Sequence, residues 1–180
     1  MHRVSRRSWF ERTFEVGLSL ESHGEAVESL RGTPSRLQER VIDVSSGRLV
    51  GRSGDSWSIQ EHVGHLRDLE PLWLGRVEDL LAGHDRLRSA DLENRATWDA
   101  QHNQGSLDVL LGEFRAQRSE LVRLVESLSR EDLLVTALHP RLERPMTVVD
   151  LCFFVAEHDD HHLATITVLR AGSQAVGPSE

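Results

Sequence analysis

His158-Asp-Asp-His161-His162 interrupts an otherwise apolar helical stretch running from Met146 to Leu169. Val148, Leu151, Val155, Ile166 and Leu169 recur at the spacing of one buried helix face. Continued at the same spacing, that face lands on His158 and His162. The two imidazoles therefore sit one turn apart on the same side, where a core would be expected. Neutral imidazole is the commonest metal ligand, and an i,i+4 pair can grip one ion from a single helix. A lone core histidine is more often a packing residue that finds a hydrogen bond; two in register favour a metal.

A third donor is available upstream, in Glu61-His62-Val-Gly-His65-Leu-Arg-Asp68-Leu-Glu70. On a helical wheel His62 falls within the apolar stripe and His65 on its border, and the wheel does not choose between them. His161 lies off its own helix's stripe and is expected nearer the surface. Three imidazoles from two helices would leave coordination positions open to water, as in catalytic rather than structural sites. Glu61 reads as a helix cap for Ser58. Asp68, Asp159 and Asp160 read as solvated face residues, any one of which could accept a hydrogen bond from a ligand's second ring nitrogen. Cys152 adjoins the buried stripe and reads as a small core residue. His102-Asn103 and His139-Pro140 border the site as ordinary loop residues.

Composition narrows the chemistry further. At 180 residues the chain suits one domain with a real core. Its 29 acidic against 21 basic residues give a net charge of -8, which argues against nucleic acid as a partner. Arg3, Arg6, Arg7 and Arg12 form the one basic cluster, read as solvated surface. No apolar run is long enough to span a bilayer and no signal-peptide core is present, so no membrane and a cytoplasmic location are expected. With Cys152 alone there is no disulfide framework or thiolate cluster. The chain has neither lysine nor tyrosine, which removes Schiff-base chemistry and tyrosine acid–base catalysis. The glycine-rich nucleotide-binding and serine-hydrolase signatures are missing too. Ten histidines, the carboxylates and arginine remain.

The elements that must hold these side chains follow from periodicity. Residues 8–20 read as an irregular lead-in packing its aromatics on the body. A first helix is expected over 22–45, kinked or split at Gly32-Thr33-Pro34. Ser45 to Asp55 is loop. Ser58-Ile-Gln-Glu61 is a capping box that opens a helix over 58–82, stopped by Gly83. A third helix spans 106–128, and a fourth starts at Thr147-Val-Val-Asp150, runs to about 170 and ends at Gly172. The connection over 84–104 is long enough to be functional or partly helical. The fold class is all-α: a four-helix bundle over 21–172, with lead-in 1–20 and a disordered tail 173–180.

Trp57-Ser-Ile-Gln-Glu-His-Val-Gly-His65-Leu, followed by Met146-Thr-Val-Val-Asp-Leu and Glu157-His-Asp-Asp-His-His162, resembles the DinB-like (YfiT-type) superfamily. Trp9-Phe-Glu-Arg and Leu30-Arg-Gly-Thr-Pro34 extend the likeness over roughly residues 9–170. The resemblance implies a four-helix bundle with one divalent metal, zinc or nickel, on three histidines. The matching positions are His65, His158 and His162, so His62 is not expected to ligate. It also implies an activity: thiol-dependent S-transfer or isomerisation, or metal-dependent hydrolysis. The leading expectation is a metal-dependent S-transferase joining a low-molecular-weight thiol to a small electrophile. The alternatives are a hydrolase of a small amide or ester and a non-catalytic metal-binding stress protein. A small-molecule substrate and a homodimer are the implied partners. Arg76, Arg95 and Arg141 are candidates for recognising a substrate carboxylate.

Overall fold

Four long helices dominate the computed structural model, which describes residues 8–172. They are α1 (His23–Val41), α3 (Ile59–Leu81), α5 (Leu107–Glu126) and α6 (Val148–Arg170); α2 (Ser46–Leu49) and α4 (Arg95–Asp99) are short. The expectations for Arg3, Arg6, Arg7 and the tail 173–180 lie outside the described residues. Helix α3 opens on its capping box: the Ser58 hydroxyl accepts from the Glu61 amide at 3.2 Å, and the Glu61 carboxylate accepts from the Ser58 amide at 2.8 Å. The same device, made by Thr147 and Asp150, opens α6. Asp150 also accepts from the Leu18 amide at 2.9 Å, which ties the lead-in to α6. Gly83 and Gly172 follow α3 and α6 with φ of +72°, the left-handed conformation that suits a helix stop.

Helix α1 is not split at the proline. It runs unbroken through Gly32-Thr33-Pro34, ending at Val41, short of 45. Pro34 has no amide hydrogen for the Leu30 carbonyl, and Arg118 of α5 supplies a donor instead at 3.3 Å. The neighbouring Ser29 carbonyl accepts from the Thr33 hydroxyl and from Arg36. A side chain from another helix thus satisfies what the proline leaves open.

Around the bundle α1 packs on α5 and α6, and α3 packs on the same two, so α1 and α3 lie diagonally. This order makes α3, which carries His65, and α6, which carries His158 and His162, neighbours although α5 separates them in the chain. Two apolar clusters fill the interior. One includes Leu30, Trp73, Leu121 and Phe154; the other includes Leu37, Leu66, Phe114 and Leu163. Between them along each helix comes a polar layer with one residue per helix: Thr33, Glu70, Arg118 and Asp159, none more than 2% exposed. Arg118 pairs with Glu70 at 2.6 Å and with Asp159, which also accepts from the Thr33 hydroxyl at 2.9 Å.

Two expectations for α6 are overturned here. Asp159 is fully buried rather than solvated, because α6 is covered on nearly every side and Arg118 supplies the opposing charge. His161 is buried as well; Trp9 of the lead-in packs over it, with ring centroids 5.8 Å apart. Asp160 does face outward, paired with Arg36 at 2.6 Å. The all-helical reading also omitted a two-stranded hairpin, β1 (Ala137–His139) with β2 (Arg144–Met146), paired antiparallel through Leu138 and Pro145. Within 84–104, α4 and a 3-10 turn at His102–Gln104 seat Thr97 and His102 against α3.

Candidate metal centre

His65 on α3 and His158 and His162 on α6 converge: one ring nitrogen of each lies within 4.8 Å of the others. All three side chains are buried. The Nε2 atoms of His158 and His162 are 3.2 Å apart. That is close to the separation of about 3.3–3.4 Å between two ligands on a tetrahedral ion with bonds of about 2.0–2.1 Å.

The hydrogen bond behind His65 fixes which nitrogen that ring presents. The Thr97 hydroxyl donates to Asp68 at 3.0 Å, so its contact with His65 Nδ1 at 3.1 Å has the ring nitrogen donating. His65 Nε2 therefore carries the lone pair. His162 Nδ1 shares a hydrogen bond with His62 Nδ1 at 2.9 Å, which leaves its Nε2 towards His158. Asp68 also accepts from His102 Nε2 at 2.7 Å. Carboxylate, hydroxyl and imidazole thus line up behind His65, the supporting arrangement that orients metal-binding histidines. His158 Nδ1 is buried with no hydrogen-bond partner among the described residues.

Burial is the first cause of every shift at these rings. It pushes His65 down to about 3, and His158 and His162 well below the ordinary histidine range, with the neighbouring imidazoles adding to the effect on the latter two. All three are therefore neutral near pH 7, the form that ligates. A set of three neutral imidazoles fits a divalent ion of borderline softness such as zinc or nickel, and leaves further positions open.

A cavity of about 210 Å³ opens onto the three rings. Trp57, Trp73 and Trp9 wall it near the histidines, while Arg76, His139 and Arg141 line another part. Asp91 is the one carboxylate lining it among the described residues, and its oxygens already accept from the Glu93 and Arg95 amides.

The sequence candidates fare unequally. His65, His158 and His162 come together. His62 is also buried beside them, behind His162 and hydrogen-bonded to it. Glu61 caps α3 as expected and pairs with Arg52. Cys152 is buried among apolar side chains, which pushes its thiol up to about 12. Of the arginines, Arg76 and Arg141 line the cavity, whereas Arg95 pairs with Glu93 on the surface. Asp68 is not a solvated residue, since it supports His65 through Thr97. Nor are His102 and His139 ordinary loop residues: each is at most 3% exposed, and both are held by side chains of α3. Thr97 was not singled out, because a threonine inside a polar connection carries no periodic signal.

The chain belongs to the DinB superfamily, whose family model matches residues 29–166. Among solved structures it is similar to YfiT from Bacillus subtilis, described as a probable metal-dependent hydrolase with an unusual four-helix bundle topology. The TM-score is 0.76 at 20% identity, over 90% of this chain and 93% of YfiT. A mycothiol-dependent maleylpyruvate isomerase matches with a TM-score of 0.64 at 12% identity, over 79% of this chain and 59% of the isomerase. These likenesses establish the shared bundle. No curated protein matches the sequence. Among the described residues no helix is long and apolar enough to cross a membrane.

Proposed function

We propose that this protein is a metal-dependent thiol S-transferase with its divalent ion on His65, His158 and His162. The observation that carries the reading is the cavity in front of the three rings: aromatic-walled, edged by Arg76 and Arg141, and lined by no carboxylate except the engaged Asp91. Hydrolysis calls for a base placed to take a proton from water. Transfer of a thiol needs a site for the sulfur and an apolar berth for the electrophile. A divalent ion on the three rings would supply Lewis-acid chemistry, lowering the pKa of a thiol or water that reaches its open position.

The chain's own contributions follow from the geometry. Asp68, through Thr97, holds His65 in the tautomer that presents Nε2, and His62 holds the His162 ring in place through the contact between their Nδ1 atoms. Trp57, Trp73 and Trp9 offer faces for an apolar electrophile. In the reaction the thiol gives its proton to bulk solvent and its sulfur bonds to the electrophilic carbon. The leaving group departs with the electron pair of the bond that breaks. A small molecule is thus the partner, in keeping with the thiol dependence of the structurally similar isomerase.

The test is turnover of a generic haloalkyl or epoxide dye by metal-loaded protein with a panel of low-molecular-weight thiols, mycothiol included. Product that requires metal and thiol together, and vanishes in His158→Ala, supports the transferase. Consumption at the same rate without thiol would replace it with hydrolysis, the activity in YfiT's description. Silence across thiols, esters and amides in metal-replete protein would leave a metal-holding bundle without catalysis.

A further inference from the structure

Arg76 is buried with no carboxylate in direct contact among the described residues, although the charge of Asp79 reaches it from further off. It is only 2% exposed and makes no ion pair among the described residues. Asp79, the acid one turn further along α3, is committed to Arg88, accepting from its Nε at 3.0 Å, from its terminal nitrogen at 2.7 Å and from its amide at 2.8 Å. Arg76 instead donates to the Arg88 carbonyl at 3.1 Å, faces His139 Nε2 at 3.1 Å, and lies over the Trp73 ring at 5.3 Å. Taking a guanidinium out of water with no carboxylate opposite is strongly unfavourable.

The contacts of His139 among the described residues add donors. His139 Nδ1 faces the amides of Arg141 and Leu142 at 3.3 and 3.2 Å, while Nε2 faces Arg76. A neutral imidazole has one accepting nitrogen, so N–H groups outnumber lone pairs here whichever tautomer forms. Burial, with Arg76 and Arg141 beside it, holds the ring neutral, its pKa pushed down to about 3. Arg76, His139 and Arg141 all line the cavity that opens onto the three histidines. Trp73 joins the two parts: its ring lies under Arg76 and 5.5 Å from His158.

We propose that this part of the cavity is a carboxylate subsite, in which Arg76, steadied by His139 and flanked by Arg141, holds the acid group of a small molecule lying along Trp73. A carboxylate accepts from the guanidinium in a two-pronged fit and supplies the lone pairs that the cluster lacks. That the reacting atom of this molecule then reaches His65, His158 and His162 rests on the transferase reading; the subsite itself does not.

Phenylacetate and phenylacetamide share a shape and differ in charge, and the cavity tryptophans report binding of either by fluorescence. Metal-loaded wild-type protein should bind the acid at least about tenfold tighter than the amide. Arg76→Gln should erase that preference while leaving amide affinity within about twofold, and Arg76→Lys should keep part of it. Equal affinity of wild-type protein for acid and amide would overturn the proposal without any variant. A preference that survives Arg76→Gln but disappears with chelator would also overturn it, since the metal would then be the acid's partner. A chain that proves to hold no metal yet keeps the Arg76-dependent preference would refute the transferase reading and sustain the subsite. In turnover, competition of phenylacetate with the electrophile assigns the acid group to the electrophile, and competition with the thiol assigns it to the thiol.

Discussion

Gly64 and His102 approach so closely that a Cβ on Gly64 would lie 2.2 Å from the His102 ring. The glycine beside His65 therefore gives room to the imidazole that donates to Asp68. Gly64→Ala must push His102 off that carboxylate. Overpacking of this kind costs about 1–3 kcal/mol. We expect a lower melting temperature and weaker metal binding from a substitution that alters no ligand. Calorimetry with a metal titration checks both, and unchanged metal affinity would mean that His102 does not support the centre.

His158→Ala should strip the metal, whereas His161→Ala should leave most of it. Elemental analysis of the purified variants decides this, and equal losses would mean that the wrong pair was chosen from His-Asp-Asp-His-His. Metal bound only to the folded chain stabilises it by about 2.7 kcal/mol at a hundredfold excess over Kd. Chelator should therefore lower the melting temperature at pH 7.5, and the shift should persist near pH 5, because burial keeps the three rings neutral in the folded chain well below the ordinary histidine range.

Thr97→Val removes the hydroxyl between His65 and Asp68 with little change in volume. Loss of such a supporting hydrogen bond typically costs about 10–100-fold in metal affinity. Competition with a chromophoric chelator should register that loss. Wild-type affinity in the variant would show that His65 orients without help.

Acid should unfold this protein steeply. His65 and His139 are pushed down to about 3, and His158 and His162 well below the ordinary range, chiefly by burial. In the unfolded chain each titrates near 6.5. Below that pH the unfolded state takes up protons that the folded state refuses, so the unfolding free energy falls with pH and is flat above about 7 from this cause. Each ring contributes up to about 1.4 kcal/mol per pH unit. Urea titrations of chelated protein between pH 6.5 and 5, above most carboxylates, should give the slope of several groups together. A slope matching one group would contradict the burial of four.

Arg118→Met should be among the most damaging substitutions outside the centre. It leaves Glu70 and Asp159 buried without their cation and strips the Leu30 carbonyl of its donor. Breaking a buried pair in this way costs about 3–5 kcal/mol. Denaturant midpoints check the size, and a loss under about 1 kcal/mol would mean that water enters the layer.

Local signals made much of this structure legible. Ser58–Glu61 and Thr147–Asp150 announce α3 and α6 because a capping box is written within four residues. The wheel found His158 and His162 because the apolar residues before and after them keep one register. It failed at Asp159 and His161 because α6 is covered on nearly all sides, and one stripe does not describe such a helix. Arg118 left a readable trace, since it falls on the face shared by Phe114 and Leu121. What the trace lacked was the pair of carboxylates on two other helices. Three-residue strands such as Ala137–His139 are too short for an alternating pattern to register. Thr97 and His102 gain their meaning only from the placement of Asp68, which is tertiary information.

The diagonal placement of α1 and α3 bears on how the chain acquires its centre. The His62–His162 contact spans 100 residues of sequence, and the two α6 donors reach His65 only when α6 docks against α3. Contacts of such long range form slowly, after loop closure has been overcome. Before that event the chain offers an ion only the i,i+4 pair on α6, a weaker grip than the complete triad. Tight capture of an ion on the three rings would therefore come after topology, and such an ion would select chains that have already completed the bundle rather than nucleate those that have not.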